Sequence, residues 1–396
     1  MLSVKTIKNL SKNEFYPLLK SLGYKNVANL LSGNSFTDYY NTVSFLKNEL
    51  SKSDALLTTS HLDDFLSYKF LYELNNLHFV FNLSSLLETK QEIEYSQIKH
   101  IIESKNFHLN RNLTEVKVDK LNPLCTTRVE NYERDGKVFV KNIQFLLFID
   151  EVNTSKGITN LFSCIDINLI SNFISIKLNS NVYENIKGNY QIIENILNTL
   201  MSNSLFKDLK IVAHGHNQVV SRKTIQHLFI NLSKQAENIL KNAADSGIQK
   251  AAENFLKSIK IPNNEDYIKQ IISIVYQNIS KSFTKTQFNE GWVFRFVFKE
   301  GDNTRASSST DDFAPVYNKQ VYWNLKELMF KNKGTDFIEA GFLWFTKPQS
   351  KAPVSVKIEQ KNHWLMIQYY KQDHNKRGRE EKERFVLQKI RNGIPK

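Results

Sequence analysis

The run Trp292-Val-Phe-Arg-Phe-Val-Phe298 constrains the fold more than any other stretch of the chain. Aromatic and β-branched residues this dense fit a pleated, half-buried sheet surface. One strand cannot shelter such rings, so the run requires further strands beside it. Downstream, Val354-Ser-Val-Lys-Ile-Glu359 and Trp364-Leu-Met-Ile-Gln-Tyr-Tyr370 flank a tight turn near Lys361-Asn362 and read as a hairpin. Between these signals, Gly301 to Asp312 reads as a polar loop carrying Asp302, Asn303, Arg305, Ser307, Ser308, Thr310 and Asp312. A second strand is expected around Val321-Tyr-Trp323, then a helix from Asn324. All four tryptophans, Trp292, Trp323, Trp344 and Trp364, fall in this part of the chain. Residues 288–372 therefore read as an aromatic β-rich domain.

Upstream, residues 1–107 read as a helical module. Ser11-Lys-Asn-Glu14 has the capping-box spacing, and Ser35-Phe-Thr-Asp38 and Ser60-His-Leu-Asp63 repeat the start signal. A fourth helix is expected over Glu92 to Ser104. Residues 108–287 read as a mixed strand and helix domain. Asp135-Gly136 marks a hairpin turn, and Phe145-Leu-Leu-Phe-Ile149 is apolar without a break, as a buried strand is. Strands follow at Leu161–Ile170 and Phe173–Leu178, with a helix at Gln191–Leu200 and a short strand at Leu209–Ala213. A helical tract from Thr224 to Ile259 is broken near Asp245-Ser-Gly247, and another helix starts beyond Pro262. Residues 373–396 form a basic tail. The fold class is α+β: a helical N-terminal module, a mixed α/β central region and an aromatic β-rich C-terminal module.

Charge narrows the class of partner. The 396 residues carry 53 Lys and Arg against 40 Asp and Glu, a formal +13. A surplus of that size attracts polyanions by releasing their counterions. The plain alternative is a coding bias toward lysine. Two cysteines, Cys125 and Cys164, make neither a disulfide framework nor a four-thiolate zinc site, so reduced thiols and a cytoplasmic setting are expected. No apolar run approaches the length of a bilayer span, so no membrane partner is expected.

Several short patterns carry chemistry. The strand ending in Asp150-Glu151 has the outline of a Walker B strand, yet the chain has no Gly-x-x-x-x-Gly-Lys-Ser/Thr phosphate cradle. Glu359-Gln-Lys361, with Asp336 upstream and Glu327 on the preceding helix, matches the order of a magnesium-dependent nuclease site. There a metal activates water while the lysine steadies charge on the phosphate. The plain alternative is the solvated face of a hairpin. Catalysis, if present, would use Asp336, Glu359 and Lys361, with Mg2+ implied only in that case. His214-Gly-His216 with His227 is a local histidine cluster, and no metal site is assigned to it.

The leading expectation is a nucleic-acid-binding protein that grips phosphates with Arg295, Arg305, Lys357, Arg377, Arg379, Lys382 and Arg384. It would act in a larger bacterial-type complex, such as a mobile-element or phage-defence system. The alternatives are the nuclease and a non-enzymatic assembly protein. The last would use the stripe along residues 224–259 to meet a partner or a second copy of the chain.

Overall fold

The computed structural model describes residues 1–31, 39–89, 92–186, 189–202, 206–244, 246–282, 285, 288–301, 304–330, 335–347 and 352–395. The chain divides into two compact units, Met1–Gly215 and His216–Lys396. Both are α+β and both are built on antiparallel strands.

In the first unit, the helices α1 (Val4–Ile7), α2 (Phe15–Ser21), α3 (Val27–Leu30), α4 (Tyr39–Leu50) and α5 (Thr59–Tyr68) precede a π turn at Lys69–Glu73. Strand β1 (Leu77–Ser85) and helix α6 (Tyr95–Ser104) follow. The chain then forms β2 (Leu124–Arg134), β3 (Lys137–Thr154), β4 (Gly157–Asn168) and β5 (Phe173–Leu178). Helices α7 (Ser180–Tyr183) and α8 (Asn189–Ser202) lead to β6 (Val212–His214). The sheet order is β2-β3-β4-β5-β1, with β6 on β1. Asp135 and Gly136 both have positive φ (55° and 74°), which a two-residue primed hairpin turn needs.

Register explains the two-sided core of this sheet. Phe145, Ile165, Ile176 and Phe79 lie opposite one another across four strands, as do Ile143, Ile167, Ile174 and Phe81. Phe107 and Phe206 pack their rings on Phe145, and Tyr183 packs on Phe79. The opposite face presents Leu146, Phe148, Phe162 and Cys164 to the N-terminal helices. On that same face, Gln144 and Asp166 pair across β3 and β4, and the buried Lys177 ammonium bonds the Asp166 carboxylate. Gln144 also donates to Asp166 at 3.2 Å and accepts from the Tyr72 hydroxyl at 3.0 Å.

Strand β1 corrects the expectation that residues 1–107 are helical throughout. Leu77-His-Phe-Val-Phe81 is buried on both faces, so it lacks the period-2 polarity that marks a half-exposed strand. The box at Ser11 is present, with the Ser11 amide donating to Glu14 Oε2 at 2.6 Å. The third start signal is displaced by two residues, because Thr58 caps α5 by accepting from the His61 amide at 3.2 Å. The second, Ser35 to Asp38, lies outside the described residues.

In the second unit, helices α9 (Gln218–Ala243), α10 (Ile248–Ser258) and α11 (Glu265–Ser280) precede β7 (Gly291–Glu300) and β8 (Thr304–Ser309). Helix α12 (Gln320–Phe330) follows, then β9 (Thr335–Phe345), β10 (Pro353–Lys361), β11 (Trp364–Tyr369), α13 (Asp373–Lys376) and α14 (Arg379–Gly393). The sheet order is β11-β10-β9-β7-β8. Helix α9 covers one face, with Phe229 set against Phe296 and Phe337 at 5.7 and 4.7 Å between ring centroids.

Two local expectations change here. The span from Gly301 to Asp312 is not one loop, since Thr304–Ser309 is a strand paired to β7; Asp302 and Asn303 lie outside the described residues. Val321-Tyr-Trp323 is helical, not a strand. Tertiary contacts outweigh the β preference of these residues. The Tyr322 hydroxyl donates to Glu237 at 3.0 Å and the Trp323 indole to the Tyr317 carbonyl at 2.7 Å, and both rings are buried. Among the described residues no helix is long and apolar enough to cross a membrane.

Candidate functional site

The face of the second unit's strands that α9 does not cover gathers their charged residues. Register puts Arg295, Gly341 and Lys357 in one row across β7, β9 and β10. The next row is Val297, Glu339 and Glu359. Diagonal contacts tie the rows together. Arg295 bonds Glu339, Lys357 lies 3.2 Å from Glu359 and 3.8 Å from Glu339, and Lys361 lies 2.7 Å from Glu359. Gly341 is required in this row, because a Cβ there would lie 2.6 Å from the Phe294 ring.

Exposure separates the signs of charge. The Glu339 and Glu359 side chains are 8% and 12% exposed, whereas Arg295 and Lys361 are 37% and 34% exposed. The carboxylates therefore lie beneath, and the cations reach solvent above them. The bond to Glu339 holds the Arg295 guanidinium still further above its ordinary value, so it stays charged at any working pH. Along β7 and β8, Lys299 and Arg305 face each other in register, both exposed and without an ion pair among the described residues. Like charges directly opposite destabilise a strand pair. On its other side Lys299 lies opposite Asp336 of β9.

The C-terminal cations behave differently. The tail is no free arm, because α14 packs Val386, Leu387 and Ile390 into the unit. Arg379 is buried with Glu383 at 2.7 Å, and its guanidinium lies 3.5 Å from the Tyr369 ring centre. Lys382 is buried and donates to the carbonyls of Arg377, at 2.7 Å, and His374. These two side chains have no surface to offer a phosphate, which corrects their expected role. Arg384 is paired with Glu380, and Arg377 is exposed. Asn375 locks the start of the tail to the sheet by donating to the Ser355 and Tyr370 carbonyls at 2.8 and 2.7 Å.

The nuclease-like set is only partly assembled. Glu359 and Lys361 are together on β10, but the carboxylate opposite Glu359 is Glu339. Asp336 is bonded by Arg222 of α9 at 2.6 Å. The side chain of Glu327 lies outside the described residues. Among the described residues, no group of three or more His, Cys, Asp or Glu is placed to hold a metal ion. A divalent ion needs free carboxylate oxygens, and here Arg295, Lys357 and Lys361 already occupy both glutamates. The cluster does not fit magnesium, and no hydrolytic step follows from it.

Glu339 was not picked out from the sequence. Its place opposite Glu359 follows from strand register, and β7 and β9 shift register twice, at Val293/Arg295 and at Val297/Phe298. Such bulges re-aim side chains and leave little trace in the sequence.

The histidines do not form a cluster either. His214 is exposed on β6, and His227 Nδ1 lies 3.1 Å from the Gly393 carbonyl. His216 is buried, its amide donating to the His363 carbonyl at 2.6 Å. Burial pushes the His216 imidazole down to about 4 from 6.5. The folded state thus binds fewer protons at this group than the unfolded chain, so its contribution to stability is complete above pH 6.5. It is lost as pH falls toward 4, by about 2–3 kcal/mol. Urea midpoints at pH 7 and pH 4.5 should show this loss, and a His216→Asn variant should lose measurably less.

The apolar stripe expected to serve assembly is mostly internal. Leu228, Leu232 and Leu240 of α9 are buried within the unit, while Phe255 and Ile259 near α10 remain exposed. The Asp150-Glu151 end of β3 is a solvated salt-bridged edge, with Lys120 on Asp150 at 2.6 Å and Lys5 on Glu151 at 2.7 Å.

The charge itself is divided unevenly. Residues 216–396 hold 30 of the 53 lysines and arginines but only 18 of the 40 acids, so they carry +12 of the formal +13. No protein-family profile matches the chain, and neither does any curated protein.

Proposed function

We propose that the protein binds the phosphate backbone of nucleic acid through its second unit, His216–Lys396. The concentration of the charge surplus in that unit carries the reading. Lysine is spread over both units, 20 in the first and 23 in the second, so the surplus of the second rests also on its seven arginines against three and its 18 acids against 22. The contact surface is the strand face where Arg295, Lys357 and Lys361 pair with the two glutamates and Lys299 and Arg305 lie beside them along β7 and β8. Arg305 lies on the edge strand β8, Lys299 beside it on β7 and Lys361 at the end of β10, so the cations extend over several strands. Contacts of this kind position a backbone without reading its sequence. The buried glutamates orient Arg295, Lys357 and Lys361 and hold those side chains in place before binding, which lowers the ordering cost.

Crosslinking tests the location. Full-length protein bound to a photoreactive oligonucleotide and digested should yield crosslinked peptides from residues 291–309 and 353–369. Crosslinks confined to residues 1–215 would refute the assignment.

A further inference from the structure

The geometry points to a second, separate site in the first unit: a cleft that takes a small organic phosphate with an apolar or aromatic body, of mononucleotide size. The cleft has a volume of about 780 Å3. That is within the range of ligand sites, roughly 300–1,000 Å3. It lies between the end of α6, the segment after it and the approach to β2, and all of its lining belongs to this unit.

Its charged groups carry a small positive excess, Lys105, Arg111 and Lys117 against Asp119 and Asp208, and His108 also lines it. Arg111 and Lys117 form no ion pair among the described residues, in a unit whose other arginines, Arg128 and Arg134, both hold carboxylates. A half-buried guanidinium without a carboxylate is the natural fork for two phosphate oxygens. Of the two acids at the cleft, Asp208 pairs with Lys105 of the same cleft at 3.3 Å and Asp119 accepts from the Leu121 amide at 3.0 Å, so Arg111 and Lys117 are the cations offered to an anion. Burial and the charge on Arg111 together hold His108 below its ordinary value.

The apolar groups specify the rest of the ligand. Leu121 is 88% exposed, the most solvated large apolar side chain described, and it lines the cleft with Pro123 and Leu124. The intervening backbone is constrained. Asn106, His108 and Asn110 all have φ between 52° and 54°, a left-handed conformation costly for residues with a Cβ. The His108 carbonyl accepts from the Thr127 amide at 3.1 Å and the Asn110 amide donates to the Thr127 carbonyl at 2.9 Å, which fixes the segment against β2.

Calorimetric titration of the full chain with AMP, inorganic phosphate and adenosine tests this. AMP should bind in the micromolar to low millimolar range, and each fragment at least about tenfold more weakly. Arg111→Gln and, separately, the exposed Lys117→Gln should each weaken AMP at least about threefold, while Arg134→Gln should leave it unchanged. Leu121→Ser should weaken AMP but not phosphate. A Lys299→Gln/Arg305→Gln variant should bind AMP as the parent does, which separates this site from the nucleic-acid surface. Absence of AMP binding up to about 10 mM, or AMP binding that neither cleft substitution changes, would overturn the proposal.

Discussion

Lys177→Met is expected to destabilise the first unit by about 3–5 kcal/mol, because it leaves the Asp166 carboxylate charged and buried. Lys177 is 1% exposed and Asp166 5%, so no water can replace the lost ammonium without opening the sheet. Asn142 and Gln144 still donate to Asp166, at 3.4 and 3.2 Å, but neutral amides compensate a charge only in part. The pair itself contributes much less than this figure, since both charges lost their hydration on folding. The double variant Asp166→Leu/Lys177→Met should therefore recover most of the loss. Urea unfolding followed by circular dichroism checks both, and a single variant within about 1 kcal/mol of the parent would show that the pair is hydrated.

The second large effect concerns binding. Replacing Lys299, Arg305 and Lys361 together with glutamine should reduce oligonucleotide affinity by roughly tenfold to a hundredfold at moderate salt. It should also lower the salt slope by nearly one for each phosphate contact removed. Lys299 and Arg305 are exposed and should change folding by no more than about 0.5 kcal/mol. Lys361 pairs with the mostly buried Glu359, which Lys357 still holds, so its loss should add about 1 kcal/mol. The matching substitution of Arg379 and Lys382 should instead mainly affect stability, because both are buried side chains of α14. Fluorescence anisotropy and thermal melting of the two variants separate a surface role from a structural one.

Elements whose signal is local could be read from the sequence. The Asp135-Gly136 turn, the Phe145–Ile149 strand and the Val354–Tyr370 hairpin all appear where their residues place them. Asn362, at φ 44°, makes the tight turn between β10 and β11. Elements decided by distant contacts were not readable. Leu77–Phe81 becomes a strand because β5 pairs with it residue by residue, and Val321–Trp323 becomes a helix because Glu237 and Tyr317 hold its rings. For the candidate surface, Arg295, Lys357 and Lys361 could be named from alternation alone. Glu339 depended on bulged register, and the burial of Arg379 and Lys382 depended on how α14 packs. The division of charge was present in the sequence all along, but it has meaning only once the boundary at residue 215 is known.

The most direct measurement is the affinity of the full-length protein for a labelled oligonucleotide as a function of salt. Phosphate capture by the second unit predicts a linear fall of log K with log salt, with a slope of several units and little dependence on base sequence. A flat response, or no binding at low salt, would contradict the account.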